Sequence, residues 1–370
     1  MLRKAMSERI QKKLLIRKKL LIKKELFMEK ELFMKKKPLP LFFCLFWALM
    51  LSGCGKASEP ISRTGFYFDT AVTITVYDAT DEPLIDTCFS LCQKYEELFS
   101  RTKEGSDVYR INHSQGKPVE VSPETISLLQ TALSYAKLSN GRIDPTIAPL
   151  SSLWDFGVQA ALDEEQVRIP DETQIQEGLS HVGYEKIHLS GNQVVLEDPG
   201  ASIDLGFVAK GYVADRLKEY LLEQGVEHAL LDLGGNVLTL GSRPDGEPFR
   251  IGIQRPFDQG GSAAAILSVR DQSLVSSGVY QRYFEKDGRL YHHILDPQTG
   301  YPVENSLYSV TILSRSSLEG DALSTTCFCL GLEEGMKLIE SLPGVEAVFI
   351  TQDQVLHPSS GISLDGNGTG

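Results

Sequence analysis

The strongest constraint on what this chain can fold into is a segment that takes no part in the fold. An apolar run begins after Lys35, Lys36 and Lys37, is interrupted only at Pro40, and closes in Leu51-Ser52-Gly53-Cys54. A basic n-region, a short h-region and a small-residue site ending in Cys read as a lipid-attachment signal peptide over residues 34–53, whose Cys is diacylated and becomes the mature N-terminus. Cys54 is then a lipid anchor rather than a redox or metal group, which places the protein on the extracytoplasmic face of a cell membrane. The run is too short for a transmembrane helix, which needs roughly 20 apolar residues.

Upstream, residues 1–33 repeat with a period of six: KKLLIR, KKLLIK, KELFME, KELFMK. Six matches neither the helical 3.6 nor the heptad, so any apolar face rotates around a helix. A translated non-coding repeat, with Met34 or Met28 as the true start, explains it better than a designed helix; the alternative is a basic amphipathic segment lying on a membrane. In either case residues 1–53 do not enter the fold. Residues 1–37 hold 14 Lys plus Arg against 4 Glu, so the rest of the chain carries 23 basic and 45 acidic residues, a net charge of −22. A nucleic-acid role is thereby excluded, because a phosphate backbone requires a basic footprint.

The remaining chain is long enough for one large domain or two subdomains sharing a core. After a lipid-anchored tether at 54–64, GFYFDTAVTITVYD alternates and is rich in β-branched and aromatic residues, which predicts a strand. A helix over residues 82–99 presents Leu84, Cys88, Leu91, Cys92, Tyr95 and Leu98 on one face. Ser122, Pro123 and Glu124 supply an N-cap, an N1 proline and an acid for the next helix, which stops at Asn140-Gly141. KIHL, a Ser-Gly-Asn turn, QVVLE and ASIDLG read as strands, followed by a helix beginning near Phe207 and ending at Gln224. Strands recur to Val275, over 290–295 and over 306–313, and helices follow at 318–330 and 333–341. The elements mix without regular alternation, so the fold class is α+β rather than a doubly wound sheet. Cys88, Cys92, Cys327 and Cys329 have no zinc-like spacing and read as buried packing.

Four constellations carry chemistry, and each has a plainer reading. In NGRIDPT, Asp144 follows a helix end and is either functional or a turn residue. In IDLGFVAKGYVADR, Asp204 precedes a helix start bearing Lys210; free N–H groups and a lysine there suit an anion, or make only a tight connection with a solvated Lys. The spacing is not that of a Walker loop. In YHHILDPQTG, His292 and His293 alternate along a strand, so at most one readily faces a site, where it could act as a base near neutral pH. The DPQTG after them is a turn. In GDALSTT, Asp321 and Thr325 lie four apart on one helix face, where their oxygens could reach a hard cation such as Mg²⁺, or serve as a dipole partner and a back-bonded Thr.

In this order the four resemble the FAD:protein FMN transferase, or ApbE, family over about residues 66–356. The matching motifs are FDT at Phe68, SNGRIDPT at Asp144, DLGFVAKGY at Lys210, DLGGN at Gly234 and Gly235, SSGVY at Ser277, HHILDPQTG at His293 and GDALSTT at Asp321. The resemblance implies one ApbE-like, T-fold-like domain at 65–357, built of two mixed α/β subdomains with the FAD and metal site between them, and a flexible tail at 358–370. It implies Mg²⁺-dependent transfer of FMN from FAD to a Thr hydroxyl of an acceptor protein, with AMP released. Asp321, Thr325 and the main-chain carbonyl of Phe207 would hold the cation, and a carbonyl ligand would leave the side chain at Phe207 free to vary. Phe68, Thr102, Arg142, Ile143, Asp144, Asp204, Lys210, His293 and Leu295 would contact FAD, with His293 and Asp321 catalytic. Acceptors would carry Asp-Gly/Ala-x-Ser/Thr-Gly-Ala-Thr and would be membrane electron-transfer subunits.

Two positions differ from the common family pattern: Phe68-Asp69-Thr70 stands where Met-Gly-Thr is frequent, and Arg142-Ile143 where Ala-Phe is frequent. The terminal DGNGTG lacks the acceptor hydroxyl at its fourth position. Two other functions fit the same residues, an FAD pyrophosphatase releasing FMN and AMP, and a lipid-anchored protein that only captures FAD. The pairing of Asp321 and Thr325 with His293 argues against capture alone, which needs no base.

Overall fold

The run read as a single strand folds as a hairpin. The computed structural model describes residues 59–258 and 260–364. In it β1 (Ile61–Tyr67) and β2 (Thr70–Val76) are antiparallel, with Tyr67 opposite Thr70. Phe68 and Asp69 between them have φ of 52° and 56°, the paired left-handed conformation of a type I′ turn. Asn-Gly or Asp-Gly is the usual signal for that turn, and Phe-Asp conceals it. Here Oε1 of Glu96 accepts the Phe68 N–H at 2.7 Å and fixes the tip. The strand also begins at Ile61, inside the expected tether.

Among the described residues the main sheet has eight strands, all antiparallel. After β1 and β2 come β3 (Ala229–Leu233), β4 (Asn236–Leu240), β5 (Ser273–Gly278), β6 (Leu307–Ser314), β7 (Glu346–Thr351) and β8 (Leu356–Pro358). Their order in the sheet is their order in the chain, so the sheet is a meander with everything else inserted between neighbouring strands.

The long insertion between β2 and β3 supplies α1 (Leu84–Phe99), α2 (Pro123–Leu138), α3 (Ala148–Trp154) and α4 (Ala209–Glu223), with a small sheet of Val119–Glu120, Gln193–Leu196 and Ile187–Ser190. The buried face of α1 is Ile85, Cys88, Cys92, Tyr95 and Phe99, a slightly rotated version of the expected stripe. On α2 the Ser122 hydroxyl accepts the Thr125 N–H at 3.2 Å with Pro123 at the first turn. That helix ends where Asn140 and Gly141 take φ of 51° and 75°, as a left-handed C-terminus requires.

The segment ASIDLG is not a strand: apart from one bridge from Ser202 to Ile147 it has no sheet partner. Between β6 and β7 runs α5 (Ser317–Glu340), broken at Gly331 (φ 82°) where two helices were expected.

Burial sorts the interior into a large apolar cluster on β2–β4, α1, α2 and α4, and a second on β6, β7 and α5. The Phe207 side chain packs against both, so its identity matters to packing, contrary to the expectation that it was free to vary. The described residues belong to one compact unit. All four described cysteines are buried and unpaired, and burial raises the thiols of Cys88, Cys92 and Cys329 to about 12. The start of the expected flexible tail is fastened: Ser359 N–H donates to the Ala347 carbonyl at 2.8 Å and Ser360 N–H to Glu340 Oε1 at 2.7 Å. Residues 1–33, the signal segment, Cys54 and residues 365–370 lie outside the described residues. Among the described residues no helix is long and apolar enough to cross a membrane.

Candidate functional site

The site grows from the crossing of α4 and α5. A Cβ at Gly211 would lie 2.3 Å from the Ser317 carbonyl oxygen and 2.7 Å from the Asp321 Cβ, so only glycine lets the helices approach this closely. One turn on, Asp215 caps α5. Its carboxylate accepts the N–H groups of Ser317 and Leu318 at 2.8 and 3.0 Å and the Ser316 hydroxyl at 2.7 Å, satisfying donors that a helix start leaves open.

At the crossing, Oδ2 of Asp321 accepts the Gly211 N–H at 2.8 Å, and Lys210 Nζ lies 3.8 Å from Oδ1. Asp321 is 3% exposed. Burial pushes its carboxyl above the usual carboxylate range, opposed by the Lys210 charge and the Gly211 N–H. One N–H that the sequence assigned to an incoming anion is therefore already given to Asp321. The Phe207 carbonyl lies just before α4, whose N-cap is Val208, and so outside its hydrogen-bond ladder. Among the described residues nothing donates to it.

Thr325, one turn beyond Asp321, has its hydroxyl 3.0 Å from that of Ser277, which is also 2.8 Å from Ser324 Oγ. Asp321, Thr325 and Phe207 thus offer a carboxylate, a hydroxyl and an unpartnered main-chain carbonyl, all oxygen donors of the kind a hard cation such as Mg²⁺ takes. Among the described residues there is no group of three or more His, Cys, Asp or Glu that could hold a metal ion.

The two histidines part company at the end of a hairpin formed by Tyr283–Lys286 and Arg289–His292. His292 is 5% exposed and sits edge-on to Phe328, with Nε2 3.1 Å from the Val303 carbonyl. Burial lowers its pKa to about 4. His293 leaves the strand, its N–H donating to the Arg282 carbonyl at 3.1 Å, with Nδ1 3.3 Å from the same oxygen. A carbonyl only accepts, so this contact assigns the proton to Nδ1 and leaves Nε2 with a lone pair. Burial first, then the neighbouring His292, Arg282 and Lys210, hold its pKa down at about 3. His293 is thus neutral at pH 7 and close enough to Lys210 to feel its charge.

Asp144 is buried, and both its oxygens hold main chain in place. Oδ1 accepts the Thr146 N–H and hydroxyl at 2.8 and 2.6 Å, and Oδ2 accepts the N–H of Tyr184, 40 residues away, at 2.8 Å. It fixes its own turn and a distant segment together, with burial raising its pKa. The Pro145 carbonyl then accepts the Asp204 N–H at 2.8 Å, which joins this loop to the next. Asp204 Oδ1 accepts the Gly206 N–H at 2.9 Å, and Oδ2 pairs with Arg101 Nε at 3.2 Å. Arg101 also donates to the Ser152 hydroxyl at 2.8 Å; the sequence alone points instead to its exposed neighbour Thr102.

Ile143 is buried in the second cluster with Ile294, while Arg142 is exposed. Leu295 is buried against Trp154, whose Nε1 donates to the Gly300 carbonyl at 2.8 Å. This contact ties α3 to the DPQTG turn. Phe68 sits half-buried at the tip of the β1–β2 hairpin.

Known proteins share this fold. The model of the ApbE family matches residues 68–349. An FAD:protein FMN transferase of Klebsiella pneumoniae is 38% identical over 76% of this chain and 86% of its own length, and one from Treponema pallidum is 32% identical over 86% and 95%. Among solved structures, the ApbE protein of Thermotoga maritima superposes with a TM-score of 0.73 at 31% identity, covering 82% of this chain and 97% of that one. The flavin transferase ApbE of Vibrio cholerae gives 0.73 at 28% identity, covering 82% and 98%. With the family model spanning most of the chain, and relatives above 30% identity aligned over more than two thirds of it, this protein belongs to the ApbE family.

Proposed function

We propose that the protein is a Mg²⁺-dependent FAD:protein FMN transferase that moves FMN from FAD to a Thr hydroxyl of an acceptor protein and releases AMP. The observation that carries this reading is His293, its proton assigned to Nδ1 by the Arg282 carbonyl and its Nε2 left with a lone pair, within electrostatic reach of the Lys210 that lies 3.8 Å from Asp321. A binding protein has no use for a base at that position.

A Thr hydroxyl is barely acidic, so its attack needs a proton acceptor within reach. Nε2 of His293 takes that proton while Oγ forms its bond to the FMN-side phosphorus. The bridging P–O bond of the pyrophosphate breaks, its electron pair leaves with AMP, and FMN remains joined to Thr as a phosphodiester. Lys210 offsets negative charge on the phosphoryl oxygens, which is the main catalytic demand in such a transfer. Asp321, Thr325 and the Phe207 carbonyl are the residues that would hold Mg²⁺, which when bound neutralises charge at the pyrophosphate. Asp204, fixed by Arg101, and the Ile143–Asp144 loop line the approach for the nucleotide.

The signal-like run ending at Cys54 supports a lipid anchor on the extracytoplasmic face of a membrane. Acceptors with the Asp-Gly/Ala-x-Ser/Thr-Gly-Ala-Thr motif on membrane electron-transfer subunits would be within reach of an enzyme tethered there.

Product chromatography tests the reading. With FAD, Mg²⁺ and an acceptor domain, AMP should appear in step with loss of free flavin to the acceptor. Free FMN with AMP would assign a pyrophosphatase, and intact FAD under every divalent metal tried would assign capture alone.

A further inference from the structure

We infer that Asn112 is a positioning residue for this site, its side-chain amide standing in for a strand partner to the segment that carries Asp204 and Phe207. The inference rests on the transferase reading only for what that segment does. Asn112 Nδ2 donates to the Ile203 carbonyl at 2.9 Å, and the Ile203 N–H donates to Asn112 Oδ1 at 2.6 Å. The two residues are 91 apart in sequence.

Ile203 is fully buried, and its backbone groups have no sheet to pair with, so leaving either unsatisfied would be costly. A primary amide is the side chain that offers a donor and an acceptor side by side in the geometry of a strand edge. An aspartate at the same place would still accept from the N–H but would set a carboxylate against the carbonyl.

The residues after Ile203 take their register from it. Asp204 gives its N–H to the Pro145 carbonyl, and the Leu205 carbonyl then receives the N–H groups of Val208 and Ala209 at 3.0 and 2.9 Å to start α4. Asp204, Phe207, Lys210 and Gly211 are therefore set from one fixed point. Asn112 is itself well anchored. It ends the short helix Asp107–Asn112, whose Asp107 accepts the N–H and hydroxyl of Ser122 at 2.8 and 2.7 Å and the Thr125 hydroxyl at 2.7 Å, at the start of α2. The pin thus transmits the position of α2 to the Asp204 loop without touching substrate.

The test is Asn112→Asp in the purified protein, with Asn112→Ser as a second variant should the first fail to fold. Three readouts are taken: amide hydrogen exchange over residues 203–208, FAD affinity by flavin fluorescence, and the Mg²⁺ concentration for half-maximal transfer. The expected result is faster exchange in that segment, with FAD affinity and Mg²⁺ response each weakened about tenfold, the size of one lost hydrogen bond made worse by a repulsive contact. A lowered melting temperature with FAD affinity and Mg²⁺ response within twofold of the parent would overturn the inference. Unaltered exchange over 203–208 would also overturn it. Failure of the parent protein to bind FAD would instead count against the transferase reading, and the exchange measurement would still decide whether the pin exists.

Discussion

Gly211 gives its main-chain N–H to Oδ2 of Asp321 at 2.8 Å, so one hydrogen bond holds a buried carboxylate across the crossing of α4 and α5. It also explains why the crossing needs glycine, since both partners would collide with a Cβ.

Gly211→Ala should force α4 and α5 apart. Its Cβ would meet the Ser317 carbonyl at 2.3 Å, and that contact is backbone rather than a side chain that could swing away. A loss of about 1 to 3 kcal/mol in unfolding free energy is expected, as for overpacked cores, together with a weaker response to Mg²⁺ because Asp321 shifts. Urea titration and a Mg²⁺ titration of transfer check both; parent-like values in each would contradict the crossing geometry.

Asp321→Ala removes the carboxylate and leaves Lys210 without its neighbouring anion. Transfer should fall by at least about 100-fold and excess Mg²⁺ should not restore it. Full activity at high Mg²⁺ would remove Asp321 from the site.

His293→Ala should keep FAD affinity and lose transfer by roughly 100- to 10,000-fold, the span of a lost general base. The base form is the neutral one, and burial with its neighbours His292, Arg282 and Lys210 holds the pKa at about 3, well below the imidazole norm. As pH falls from 8 to 5 this group stays unprotonated, so it contributes no loss of rate over that range. A rate that halves near pH 6.5 in the parent and becomes flat in a His293 variant would show an unshifted histidine instead.

His292 sets an acid limit on stability. It is buried neutral with a pKa near 4, while the unfolded chain titrates near 6.5. Between those values the unfolded state binds the extra proton, so stability is full above pH 6.5 and declines as pH falls toward 4. The decline from pH 8 to pH 5 should be about 2 kcal/mol from this residue. His292→Gln keeps a donor for Val303 but does not titrate, and should remove that part of the decline in urea unfolding at the two pH values.

The sequence makes part of the candidate site legible because it obeys local rules. Asp321 and Thr325 show their common face through i, i+4 spacing, and the Ser122–Pro123 start and Asn140-Gly141 stop of α2 follow capping chemistry. Long-range or atypical features stay hidden. The Phe68–Asp69 turn carries none of the usual glycine, so a hairpin looks like one strand. ASIDLG has the composition of a strand, yet its partners are a side chain 91 residues away and a loop carbonyl. Arg101 escapes notice beside Thr102 because nothing near it in sequence points to Asp204. Asp144 is open to either reading in the sequence, and the N–H of Tyr184, 40 residues away, is a partner that local spacing could not reveal.

The most direct test of the account is the intact mass of an acceptor domain after incubation with the purified protein, FAD and Mg²⁺, with EDTA as control. The account predicts a gain equal to FMN less water on the acceptor, AMP released in equal amount, and neither change in EDTA. An unmodified acceptor beside free FMN and AMP, or beside intact FAD, would contradict it.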